Sequence, residues 1–149
     1  MEIDLIERLN AILQASASAK FNTTAALAAF TTLVCWTVQR ARRANEARAQ
    51  RMWQRWEQAD GETDPWRLPG PLAKLKVGPA LIQLRNALAH TDDASASPLN
   101  GAVEGYQKKQ LIGFVVTAGS GEVVLHEDEM RRLGQVITDQ YVSGLKPGS

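Results

Sequence analysis

A chain of 149 residues is the size of one domain with its own core and is too short for two ordinary ones. Its 17 lysines and arginines nearly balance 16 acids, so the molecule as a whole is no electrostatic bait for nucleic acid, and attraction has to come from local clusters. A single cysteine, Cys35, excludes an internal disulfide framework; with His90 and His126 the only histidines, no His/Cys metal cluster can form.

These features point to a reducing, cytoplasmic setting, with no metal site and no cofactor. Glu2, Asp4 and Glu7 stand where a secretory leader would carry positive charge.

The first predicted element is a helix over residues 2–17, with Leu5, Ile6, Leu9, Ile12 and Leu13 on one face and acids near its start. Residues 21–39 then carry no charge and run into Arg40, Arg42 and Arg43, the layout of a membrane span with a positive flank. Five threonines, an asparagine and a glutamine dilute that run, which favours a core helix and no membrane partner.

From Leu27, a stripe of Phe30, Val34, Val38, Ala41, Asn45, Ala49, Met52 and Trp56 advances in steps of three or four. Read as one helix it is about 45 Å long at ~1.5 Å per residue, and a helix of that length needs a partner along it. Gly61, Pro65, Pro69, Gly70 and Pro71 then make a stiff connection, and Gly78 and Pro79 open another helix.

Residues 92–101 read as a polar loop by composition. The runs "QLIGFVVTA" and "EVVLHE", joined through Gly119, Ser120 and Gly121, read as a hairpin. A last helix begins near Asp128, carries Met130, Leu133, Val136, Ile137 and Tyr141 at helical spacing, and has Gly144 as its expected stop. The expected fold is mainly α: one domain over residues 1–149, four to five helices in a bundle, one of them long, with a small β-hairpin before the C-terminal helix.

The stretch "ALIQLRNALAHTDD", residues 80–93, places polar residues in what otherwise reads as a buried helix. At roughly 100° per residue, Val77, Leu81, Leu84 and Leu88 cluster within about 60°, while Arg85, Asn86 and His90 lie on another sector. That sector suits attack on a phosphodiester. Histidine titrates near neutrality and can move a proton, arginine forks onto phosphate oxygens, and asparagine positions a group without adding charge.

The segment "RNALAH" resembles the R-x4-6-H motif of the HEPN (higher eukaryotes and prokaryotes nucleotide-binding) superfamily, including the polar residue that often follows the arginine. The motif covers residues 85 to 90; the likeness in build, a compact and mostly helical domain, covers most of the chain. The resemblance implies a metal-independent endoribonuclease acting as a homodimer, with two motifs lining one cleft. The substrate's 2′-hydroxyl is the nucleophile, and a 2′,3′-cyclic phosphate is left.

On that basis His90 is the general base or acid, Arg85 stabilises the phosphorane, and Asn86 orients the phosphate or the histidine. Such an enzyme fits a toxin or defence effector whose partner is an antitoxin or other regulator. The tyrosine that some members carry two places after the histidine is Asp92 here, which argues against regulation by nucleotide transfer onto that position. Asp92 and Asp93 otherwise read as a loop start or cap.

Arg40, Arg48, Arg51 and Arg55 fall within roughly 80° of the long helix's circumference. This basic stripe, with Arg48, Arg51 and Arg55 as its candidate RNA contacts, has an equally good reading as a solvated helix face. Trp53 and Trp56 can stack bases, but beside an apolar stripe the core is the expected place for them. His126 reads as a surface residue, and Glu127, Asp128 and Glu129 as helix-start charges. The competing function is a non-catalytic helical module for dimerisation or RNA binding.

Overall fold

The computed structural model describes residues 3–15, 22–89 and 96–146. Five helices and a three-stranded antiparallel sheet follow in the order α1 (Ile3–Ala15), α2 (Asn22–Arg43), α3 (Ala47–Gln58), α4 (Val77–Ala89), β1 (Ala96–Gly101), β2 (Gln110–Ala118), β3 (Gly121–His126) and α5 (Glu127–Leu145). The fold is mainly α, as its periodicity leads one to expect.

Helix α2 is the centre of the molecule, packed against α1, α4 and α5. This explains the charge-free run: Ala26, Phe30, Leu33, Val34 and Val38 are all buried, and an ion among them would lack water. The threonines are tolerated because their hydroxyls find carbonyls. Buried Thr37 donates to Leu33 O at 2.8 Å, and Thr23 donates to Leu111 O at 3.0 Å, tying the start of α2 to β2. Among the described residues no helix is long and apolar enough to cross a membrane.

The expected long helix is instead two helices. Chain direction changes at residues 44–46, where Glu46 is extended (φ −77°, ψ 137°) as the N-cap of α3. Asn45 occupies the stripe position that would have entered the core, yet it is exposed. An asparagine side chain competes for nearby backbone groups and holds a helix poorly, so the chain exits there. Beyond the break the stripe resumes, with Ala49, Met52, Trp53 and Trp56 buried. Trp56 meets Trp66 edge-on, with ring centroids 5.3 Å apart and planes at 74°.

The connection after α3 is fastened rather than loose. Arg132 of α5 donates to Trp66 O at 3.1 Å and to Arg67 O at 2.7 Å while pairing with Glu129 at 2.6 Å. A 3₁₀ turn, Gly70–Lys74, follows and packs on β3.

The hairpin is present as β2 and β3, in register from Gly113↔His126 to Ala118↔Gly121. Gly121 sits at φ +136°, a region closed to most side chains, which is why a glycine ends that turn. The turn is pinned to α4: the Ser120 amide and hydroxyl both donate to Gln83 Oε1, at 2.9 and 2.8 Å.

Residues 96–101, expected within a loop, form a third strand. β1 pairs with β2 only, is mostly exposed, contains Pro98 and has a bulge between Leu99 and Asn100. An edge strand facing water has little need of apolar residues, so composition hides it.

Gly144 does not stop α5. It lies buried inside the helix, where an added Cβ would come within 2.6 Å of Met52 Sδ, and α5 continues to Leu145. The glycine permits close approach of α5 and α3. Gly134 does the same against Leu13 of α1.

Candidate functional site: the outer face of α4 and the α2–α3 elbow

Val77, Leu81, Leu84 and Leu88 are buried, as their helical positions require. Leu81 and Leu84 are fully enclosed, which fixes how α4 is rotated. That rotation leaves Asn86 exposed and Arg85 half-buried at the rim. Arg85 Nη1 donates to Asn86 Oδ1 at 3.1 Å. Its Nε is closed off from solvent and takes no hydrogen-bond partner. His90, the third member of the expected trio, lies outside the described residues, as do Asp92 and Asp93.

Arg85 faces α2. Its charge is felt at Cys35, a half-buried thiol that burial pushes above its ordinary pKa while the guanidinium opposes that rise. A guanidinium whose outer nitrogens lie at a protein rim is chemically suited to a bidentate anion such as a phosphate.

The basic residues divide at the break. Arg48, Arg51 and Arg55 belong to α3, where Arg51 and Arg55 are exposed and Arg48 is half-buried beside the face that enters the core. Arg40 belongs to α2 and lies over the Trp36 ring, 4.8 Å from its centroid, so it does not extend the α3 stripe. Among the described residues, Arg43, Arg48, Arg51 and Arg55 make no ion pair.

At the elbow itself there is an open groove lined by Trp36, Gln39, Arg40, Arg43, Asn45 and Glu46. Sequence reasoning passed over Trp36 and Arg43. The available signal was an aromatic four places before an arginine, followed by an asparagine in an apolar stripe.

No family model, no curated protein and no solved structure matches this chain.

The tryptophans of α3 are core residues. Trp53 and Trp56 are 9% and 3% exposed, so neither presents a face for a base. His126 is exposed at the start of α5. Glu127 and Glu129 pair with Arg131 and Arg132 one turn on, in keeping with helix-start charges. Among the described residues no group of three or more His, Cys, Asp or Glu is placed to hold a metal ion.

Proposed function

We propose that this chain is a metal-independent endoribonuclease of the HEPN type, which works as a homodimer and cleaves RNA to 2′,3′-cyclic phosphate ends. The observation carrying this reading is Arg85: a half-buried guanidinium at the rim of α4, braced by Asn86, five residues before His90. Burying part of a charged fork is unfavourable, and a phosphate bound at its outer nitrogens, on the exposed side where Nη1 meets Asn86, offsets that cost.

The chemistry follows from those groups. One His90 takes the proton from the 2′-hydroxyl, whose oxygen attacks the adjacent phosphorus. Arg85 holds the non-bridging oxygens as charge builds on the phosphorane, and the P–O5′ bond breaks as the leaving oxygen receives a proton. Base and acid are both needed, and each chain supplies one His90, so two copies facing one cleft complete the set. Asn86 keeps the Arg85 fork in one orientation.

Unchecked RNA cleavage harms its host, so the biological role in this reading is that of a toxin or defence effector in the cytoplasm, with an antitoxin or other regulator as partner. The lone thiol of Cys35, with no second cysteine to pair with, suits that reducing compartment.

The deciding experiment is incubation of purified protein with RNA in EDTA, followed by analysis of the 3′ ends. Cyclic phosphates that disappear in Arg85→Ala and in His90→Ala support the reading. Cleavage unchanged by both substitutions sinks it, and salt-sensitive RNA binding without cleavage gives the non-catalytic RNA-binding module instead.

A further inference from the structure

The elbow between α2 and α3 is the most strongly charged feature of the chain: residues 38–56 contain six arginines and one acid, Glu46. Two of those arginines, Arg40 and Arg43, line the groove together with Trp36, Gln39, Asn45 and Glu46. Arginines at a helix C-terminus also complement its dipole, and Arg42 serves that purpose from outside the groove. Arg40 and Arg43 share a pocket with an aromatic ring and three side chains able to read a base edge.

The mixture of groups selects a ligand. A bare anion would meet Glu46 as well as the guanidinium groups, and a wholly apolar segment would bury five charged or amide side chains without partners. A nucleotide of a single strand meets every requirement. Its phosphate pairs with Arg43 and Arg40, its base lies against the Trp36–Arg40 stack, and its amino or imino edge donates to Glu46 or to the amides of Asn45 and Gln39. Double-stranded RNA cannot do this, because its bases are already stacked and paired.

We infer that the α2–α3 elbow groove is a subsite for one unpaired nucleotide of the RNA strand, alongside the Arg85 site. This rests on the ribonuclease reading for the strand's other end but not for its own chemistry. Arg85 is within electrostatic reach of Cys35, the residue before Trp36. At roughly 100° per residue, Cys35, Gln39, Arg43 and Trp36 share about 100° of the α2 surface. From Cys35 to Arg43 the helix rises about 12 Å at ~1.5 Å per residue, a short step for an extended RNA strand.

The test uses the full chain and a short, fluorescently labelled, single-stranded 2′-O-methyl RNA, which lacks the nucleophile and therefore reports binding alone. Trp36→Ala is expected to weaken binding about five- to hundredfold, since loss of one stacked base has that size. Trp36→Phe should restore most of the affinity. Arg43→Gln should weaken binding and reduce the log–log salt slope by about 0.7, the value for one phosphate contact on a single strand. A duplex probe should respond to neither Trp36 variant, and circular dichroism establishes that each variant is folded.

With cleavable RNA, Trp36→Ala should raise KM and leave kcat near that of the parent. If His90→Ala abolishes cleavage while the Trp36 and Arg43 variants bind and cleave like the parent, the groove inference falls and the ribonuclease reading stands. If the chain never cleaves but loses single-strand affinity in Trp36→Ala and Arg43→Gln, the groove stands and the ribonuclease reading falls. Dissociation of a dimer by Trp36→Ala with RNA affinity unchanged would make the groove a contact between copies and overturn the inference, as would failure of the parent to bind the oligonucleotide.

Discussion

Arg85 and Asn86 are joined by a 3.1 Å hydrogen bond from guanidinium Nη1 to amide Oδ1, between neighbouring positions on the outer side of α4. Adjacent helical residues diverge by about 100°, so the long arginine has to bend around the helix to make it. The bond therefore selects one orientation of the fork. Asn86→Ala should leave stability nearly unchanged, because Asn86 is exposed, while lowering kcat for RNA cleavage about tenfold through a less ordered Arg85. Equal cleavage by Asn86→Ala and the parent would separate Asn86 from the site.

The thiol beneath Arg85 gives a pH signature. Burial raises the Cys35 pKa, with the Arg85 charge acting in the opposite direction. The folded chain thus holds this proton more tightly than the unfolded chain. Its contribution to stability is present below the ordinary thiol value of about 8.5 and is lost as pH climbs through the raised one. Unfolding free energy should accordingly decline more steeply on the alkaline side in the parent than in Cys35→Ser. Arg85→Gln should shift the midpoint of iodoacetamide alkylation further upward; an unmoved midpoint would mean that Arg85 does not face Cys35.

Gly144 and Met52 provide a coupled pair. A methyl at 144 would stand 2.6 Å from Met52 Sδ and 2.7 Å from its Cγ, so the methionine or the helix must shift. Gly144→Ala should cost about 1–3 kcal/mol by overpacking, and Met52→Ala about 2–5 kcal/mol by cavity formation. In urea unfolding the double variant should lose less than the sum of the two, since the new methyl occupies part of the space that the methionine vacates.

Trp56 is held between Trp53, at 5.9 Å between ring centroids, and Trp66, at 5.3 Å. Trp56→Ala should cost about 3–5 kcal/mol, with loss of near-ultraviolet circular dichroism, whereas Trp56→Phe should bind RNA like the parent. Weakened RNA affinity in a folded Trp56→Phe protein would contradict its placement in the core.

Much of this architecture is legible in the residues. Helical spacing finds α1, α4 and α5 because each buries a stripe, but α1 buries Ile6, Asn10 and Leu13 and leaves the expected Ile12 58% exposed. The leucines of α4 leave Asn86 exposed and Arg85 half-buried. The break at Asn45 escapes the same reasoning for a physical reason: α2 and α3 bury their stripes in one core, so periodicity continues across a change of direction. β1 is hidden because a solvated edge needs no apolar alternation.

Gly144 reads as punctuation in one dimension and proves to be a helix contact in three. The groove at Trp36 was illegible for a related reason, since it exists only because α3 departs from the axis of α2.

The exposed margin of the sheet has a bearing on assembly. β1 has a neighbour on one side only, and Pro98 stands next to the irregularity at Leu99 and Asn100. An imino acid beside a kinked register makes a poor template for another chain's backbone, so growth by strand addition is blunted at this rim. The homodimer of the proposed ribonuclease would therefore have to form on a surface other than this rim.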